Sequence, residues 1–377
     1  MIWIFWLSLS FLVYTLVGYP SLLWIISLVR RQTNRREIIF PTVTVVVAAH
    51  NEAASIRGKI ENTLELDYPR DKLEIIVASD ASTDTTAEIT RSFAHEGVKL
   101  VESKERRGKH HLQMMARDIS RGEILVFTDA TIRAEPPVLR RMVSHFADDK
   151  IGAVCSVDDF VETKETWAGE RLYTHGETRL RHLEGQVTSL VTLSGSLFAV
   201  RREICNVWHP DQSSDFFLAL HTVARGYRAA LDPECKARLG FVRSERAELS
   251  RKVRTIVHGL VVFFSHLELL NPFRYGFFSW QFLSHKLFRW LLPYAAIALL
   301  ISNFGLWNAG LFYRVMLILQ LAGYTAGTIS LVGGPVGQIK ALRPAGFFVL
   351  GSVATLRAWW KFCLGDKLVT WEPSRRG

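Results

Sequence analysis

Hydrophobic positions divide the chain into three regimes. Residues 2–29 are apolar almost without interruption and include no charged side chain. A run of that length suits a membrane span, for which roughly 20 residues suffice. A secretory signal peptide is the competing reading, but no basic residue precedes the run and it extends past a short signal core. Arg30, Arg31, Arg35 and Arg36 follow at once, which by the positive-inside rule holds the downstream side in the cytoplasm.

From Pro41 to about Val242 short apolar runs alternate with amphipathic ones. Residues 42–48, 73–78, 98–101, 124–127 and 151–157 predict strands, the first a β-branched run of the kind buried in parallel sheets. Helices are predicted at 53–66, 109–120, from Pro136-Pro137 to Phe146, and at 167–183. A further helix starts at the capping box Thr85-Thr86-Ala87-Glu88. Residues 188–200 read as a strand with a glycine turn at Ser194-Gly195-Ser196. Asp215 can cap a helix that runs to Arg225 and stops at Gly226. The order predicts an α/β fold with a doubly wound, mostly parallel sheet.

Beyond Glu248 the pattern changes again. Residues 253–270 form an amphipathic stretch suited to a helix at the membrane surface. Residues 287–304 and 311–332 are credible spans, with Lys286 and Arg289 at the cytoplasmic end of the first and Arg314 near the outer end of the second. Lys340 and Arg343 mark a cytoplasmic loop. Residues 347–364 contain Arg357 and Lys361, costly at bilayer depth. They read as an interfacial or re-entrant helix with Trp359 and Trp360 at headgroup level, and the basic tail Arg375-Arg376 stays inside. The expected division is a transmembrane helix (1–29), a cytoplasmic domain (30–248), interfacial helices (249–285), two spans (286–333) and a C-terminal loop, helix and tail (334–377). Localisation is then a plasma or inner membrane, crossed several times, with the catalytic domain cytoplasmic.

Charge and cysteine narrow the function. Net charge is +10 over 377 residues, but the basic residues flank apolar segments and form no stripe with interleaved aromatics, which argues against nucleic acid. Cys155, Cys205, Cys235 and Cys363 form no close pair and have no histidine cluster beside them, against a zinc site or a disulfide framework.

Three aspartates carry the candidate chemistry. Asp80 ends the second strand, where it could accept a hydrogen bond from a uracil N–H or serve as a turn residue. Asp129, in Thr128-Asp129-Ala130-Thr131, sits after the fourth strand and offers oxygen to Mg²⁺ or Mn²⁺. Asp215, in Ser213-Ser214-Asp215-Phe216, could act as a general base toward an acceptor hydroxyl, cap a helix, or do both. Carboxylates at neighbouring strand ends converge on one crevice in such a sheet. The turn Ala49-His50-Asn51-Glu52 lacks the glycines of a dinucleotide or P-loop site, so it contacts a base or ribose or is an ordinary turn. Arg106-Arg107-Gly108-Lys109 makes an anion site at a helix start or a solvated loop. Arg251-Lys252-Val253-Arg254 clamps a diphosphate or binds lipid headgroups.

In this order the motifs resemble those of membrane-embedded family 2 glycosyltransferases, the group with cellulose, hyaluronan and poly-N-acetylglucosamine synthases, over roughly residues 43–254. The resemblance implies a GT-A fold and inversion at the anomeric carbon. It implies that Ala49, His50, Asn51, Glu52 and Asp80 hold uridine, that Lys109 approaches the nucleotide, and that Asp129 binds Mg²⁺ or Mn²⁺ through the diphosphate. Ser194, Gly195 and Ser196 would line the acceptor pocket, Asp215 would be the base, and Arg251 and Arg254 would steady the leaving group. Two departures stand out: Asp129-Ala130-Thr131 replaces Asp-x-Asp, and Gln-x-x-Arg-Trp is missing. The expected reaction is therefore transfer from a UDP-sugar to a lipid-linked or growing saccharide in cell-surface polysaccharide synthesis, within the lipid bilayer, with a homo-oligomer or export partner as company. A processive synthase is the alternative, then an inactive scaffold; a transporter has too few spans.

Overall fold

The computed structural model describes residues 1–160, 168–206, 212–240, 245–332 and 341–366, together with residues 334, 337 and 339. Trp167, Lys340 and Arg375-Arg376, named above, lie outside these.

Strand β1 (Val43–Ala49) is buried along its whole length, as a β-branched run must be when helices cover both faces of a sheet. It is flanked in parallel by β2 (Leu73–Asp80) and β4 (Ile124–Asp129), and β3 (Val98–Ser103) extends the β2 side. The other half holds β5 (Arg133–Ala134), β6 (Ile151–Phe160), β7 (Leu197–Arg201) and β8 (Arg228–Leu239). The eight strands run β3-β2-β1-β4-β7-β6-β8-β5, with β7 antiparallel to both its neighbours. Alternation along each strand splits the core in two. Val46, Ala48, Ile76 and Ala78 face one cluster, and Val45, Val47, Ile75 and Val77 the other. Helices α2 (Ala53–Leu64), α3 (Thr86–Ser92), α4 (Lys109–Ile119), α5 (Val138–Ser144), α6 (Ala168–Val187) and α7 (Ser214–Ala224) cover the faces and link the strands. The doubly wound, mostly parallel α/β fold expected above is present.

Local expectations met two corrections. The capping box at Thr85 does not form. Asp84, the stronger acceptor next door, takes both the N–H and the hydroxyl of Thr86. Residues 188–196 are not a strand; pairing starts at Leu197. Their apolar side chains are buried all the same, and single bonds satisfy the backbone, Leu190 N–H to Ala229 O at 3.1 Å and Leu193 N–H to Asp215 O at 3.3 Å. Burial without pairing gives a strand-like pattern.

Three helices are long and apolar enough to cross a membrane: α1 (Ile2–Val29), α9 (Phe277–Gly305) and α10 (Leu311–Val332). Between them and the domain lies α8 (Glu245–Phe264), and α11 (Arg343–Cys363) follows. Helix α9 starts at Phe277, ten residues before the position 287 expected from hydropathy, and so takes in Lys286, with a wider turn over Leu283–Phe288. The apolar side of α8 is covered by protein. Val253 and Val257 meet Ala354 and Ala358 of α11, while Val262 and Phe263 join the domain core. An apolar stripe reads the same whether lipid or protein covers it.

A buried polar network ties domain to helices. Glu184 of α6 is fully buried; Tyr19 of α1 donates to it at 2.6 Å and His285 of α9 stands 2.6 Å away. His285 also meets Glu177 at 2.9 Å, and Glu177 pairs with Arg289 at 2.6 Å. Buried charges need this density of partners, because removing one leaves another unpaired in low dielectric.

Candidate active site

The parallel register sets Ala78, Ala48 and Asp129 side by side on β2, β1 and β4. Asp80, two residues beyond Ala78, shares their face, so Asp80 and Asp129 project toward α4 from the ends of β2 and β4, on either side of β1. The two turns beside them are braced against each other. Asn51 and Ala81 both adopt left-handed backbone, at φ 51° and 49°. The Asn51 N–H donates to Ser82 Oγ at 3.1 Å, and the Thr83 N–H returns to Asn51 Oδ1 at 2.8 Å. His50 Nδ1–H donates to the Asp80 carbonyl at 2.6 Å.

Asp80 is fully buried, and its two carboxylate oxygens accept the N–H groups of Arg107 and Gly108, each at 2.8 Å. Charge-assisted bonds of this kind are strong. They fix the glycine turn before α4, where Gly108 has φ 89°, and so aim the next residue, Lys109. Both carboxylate oxygens thus serve the protein's own backbone and lock the turn that leads into α4.

Lys109 Nζ stands 2.5 Å from Asp129 Oδ1 and donates to the Gly195 carbonyl at 3.2 Å. Gly195 in turn lies against Asp215, where an added β-carbon would be 3.1 Å from Oδ2. Asp129, Lys109, Gly195 and Asp215 therefore occupy one place. Asp215 sits in the first turn of α7, whose N-cap is Ser213; it does not cap the helix but accepts the Ser213 hydroxyl at 2.9 Å. Ser194 donates to Asp158 Oδ1 at 2.6 Å, which anchors the loop beneath Gly195.

Helix α8 closes one side. His258 packs against His110 of α4, with ring centroids 5.7 Å apart, and the Ser214 N–H donates to His110 Nδ1 at 3.3 Å. Burial first, then the neighbouring His258, Lys109 and Arg254, hold His110 well below the usual histidine range; it stays neutral, as an acceptor must. Arg254 thus borders the site. Arg251, one turn earlier on the same stripe, forks onto Glu248 at 2.7 and 2.8 Å.

Two residues missed in the sequence support the Asp129 loop from below. Lys59 is buried and donates to Thr128 Oγ1 at 3.2 Å and to Ile132 O at 2.9 Å. Burial, then the nearby Arg133, push its ammonium down to about 7. Arg133 donates to Ala130 O at 2.9 Å. The signal for Lys59 was present: it falls on the buried stripe Ile56, Lys59, Ile60, Thr63, where a lysine is out of place without a task.

A divalent cation fits Asp129. Its Oδ1 is buried, with an ammonium close by but no well-directed hydrogen bond. No cluster of three His, Cys, Asp or Glu occurs among the described residues, so one carboxylate and a substrate diphosphate would share the ion, as Mg²⁺ commonly is held.

Comparison with known proteins agrees with this layout. The model of the family described as Glycosyl transferase family 2 matches residues 44–208, from the second residue of β1 through β7, with both Asp80 and Asp129 inside. Over that stretch the chain is similar to family 2 glycosyltransferases. Among curated relatives, a probable glycosyltransferase, YdaM, of Bacillus subtilis is 29% identical over 45% of this chain and 42% of its own. A beta-monoglucosyldiacylglycerol synthase of Nostoc is 26% identical over 68% of this chain and 57% of its own. The chain spans about half the length of the curated relatives it matches. Among solved structures, the mannosyltransferase PcManGT of Pyrobaculum calidifontis, in complex with GDP-Man and Mn²⁺, superposes with TM-score 0.73 at 25% identity, over 96% of this chain and 99% of that one. The domain thus has the GT-A fold.

Proposed function

We propose that this chain is a membrane-embedded inverting glycosyltransferase. It moves a sugar from a nucleoside diphosphate sugar to a hydroxyl carried by a membrane lipid or a lipid-linked saccharide, at the cytoplasmic face. The observation that carries this reading is the meeting of Asp129, Lys109, Gly195 and Asp215. Asp215 takes the proton of the acceptor hydroxyl. The acceptor oxygen bonds to the anomeric carbon, and the bond from that carbon to the diphosphate oxygen breaks, its electron pair leaving with the nucleoside diphosphate. Lys109 and Arg254 offset the charge that develops on the leaving group. Bound at Asp129, Mg²⁺ or Mn²⁺ supplies Lewis-acid neutralisation of the diphosphate.

A lipid acceptor is supported by the diacylglycerol-directed name of one relative and by three helices apolar enough to hold the site at a membrane. UDP is the expected nucleotide. The structural relative's GDP-mannose makes GDP the comparison. Membranes containing the chain, with Mn²⁺ or Mg²⁺, are offered UDP- and GDP-sugars with and without diacylglycerol. Acceptor-dependent release of one nucleoside diphosphate is expected. Neither release nor nucleotide binding by calorimetry would sink the enzyme reading in favour of an inactive scaffold.

A further inference from the structure

A groove of about 680 Å³ opens where α1, the start of α9 and the domain meet, away from the residues of the candidate active site. Leu22 and Ile26 of α1 form one wall, Phe277 and Trp280 of α9 the other, and Thr188 closes the domain end. Both walls are the domain-side ends of helices apolar enough to cross a membrane. Apolar side chains stand in the open where α9 begins: Phe273, in the helical turn before it, is 100% exposed and Phe277, its first residue, 44%. Such side chains at the end of a span belong at the headgroup boundary.

One charge stands in this trough. Arg30 lines it, with its guanidinium 5.4 Å from the centroid of the Phe277 ring. No carboxylate pairs with Arg30 among the described residues, and Arg31, Arg35 and Arg36 follow it. An apolar trough with an unpaired guanidinium at its rim, open to lipid, matches an anion that carries acyl chains.

We propose that this groove seats one anionic glycerophospholipid, with an acyl chain between Leu22 and Trp280 and its phosphate against Arg30. The proposal rests on α1 and α9 being membrane spans, and on nothing in the transfer chemistry.

The test uses the full chain in nanodiscs of equimolar dioleoylphosphatidylglycerol and dioleoylphosphatidylcholine, released gently and weighed by native mass spectrometry. The wild type is expected to retain one phosphatidylglycerol in preference. Arg30→Gln should cut that preference about fivefold, the scale of one basic side chain at an anionic surface. Leu22→Trp and Ile26→Trp, each filling the trough, should remove the retained lipid while the thermal unfolding midpoint holds. Retention without preference in the wild type, or unchanged in all three variants, overturns the proposal. Carbonate extraction separates the premises: a chain released by carbonate ends the reading of α1 and α9 as spans, whereas an integral chain with groove-independent retention ends only this inference.

Discussion

Gly195 and Asp215 are in contact through the space a side chain would need: a β-carbon on Gly195 would lie 3.1 Å from Asp215 Oδ2. The glycine carbonyl meanwhile receives Lys109, so one residue fixes the spacing between Asp215, the proposed base, and the ammonium beside Asp129.

Gly195→Ala should therefore lower kcat by roughly 10- to 100-fold, the cost of misplacing a reacting group by a fraction of an ångström to one ångström. Donor affinity should hold within a few fold. Steady-state kinetics with the donor found in the screen decide it, and an unchanged kcat would break the link between this glycine and the base.

Asp215→Asn keeps the shape and removes the proton acceptor. Turnover should fall on the order of 10²- to 10⁴-fold while calorimetric donor binding stays near wild type. A variant that turns over normally takes Asp215 out of the role of base.

Asp80→Ala deprives two backbone N–H groups of a charged acceptor. Stability should drop by about 1.5–3 kcal/mol for each bond so lost, less where water enters, and donor affinity should weaken for UDP- and GDP-sugars alike. Denaturant unfolding and competition binding check both halves. Selective loss of uridine binding would restore the base-reading role expected from sequence.

Lys59 titrates in the folded chain at about 7, far below an ordinary lysine. Between roughly pH 7 and 10 the unfolded chain holds a proton there that the folded one has released, so folding stability gains as pH rises through that window. Lys59→Met should flatten this dependence, read by denaturant unfolding at several pH values. Loss of the bonds to Thr128 and Ile132 should also weaken Mn²⁺ affinity in the presence of nucleoside diphosphate by about tenfold, the usual effect of removing support behind a metal ligand. A variant with wild-type pH dependence and wild-type Mn²⁺ affinity would assign Lys59 to the core alone.

The first four strands, β6, the order of the domain's helices and three apolar helices were legible because period and length are local properties of the chain; β8 (Arg228–Leu239), whose charged residues break its apolar run, was not. Where a single pattern served two environments, reading stopped. Val257 looks the same whether α11 or lipid covers it, and Leu190 looks like a strand residue because burial alone sets its type. Asp129 and Asp215 were found from their places at a strand end and a helix start. The partners of Asp80 were not, since backbone N–H groups leave no mark in a sequence. Nor was the tie of His110 to Ser214, which joins positions 104 residues apart.

The lock formed by Glu184, Tyr19 and His285 leaves the catalytic domain little freedom to rise or tilt against its anchors. With α1, α9 and α10 seated in lipid as proposed, Asp215 would keep a set altitude over the bilayer. Acceptor choice would then become partly a matter of stature: only a hydroxyl standing at that height above its lipid anchor would come into reach.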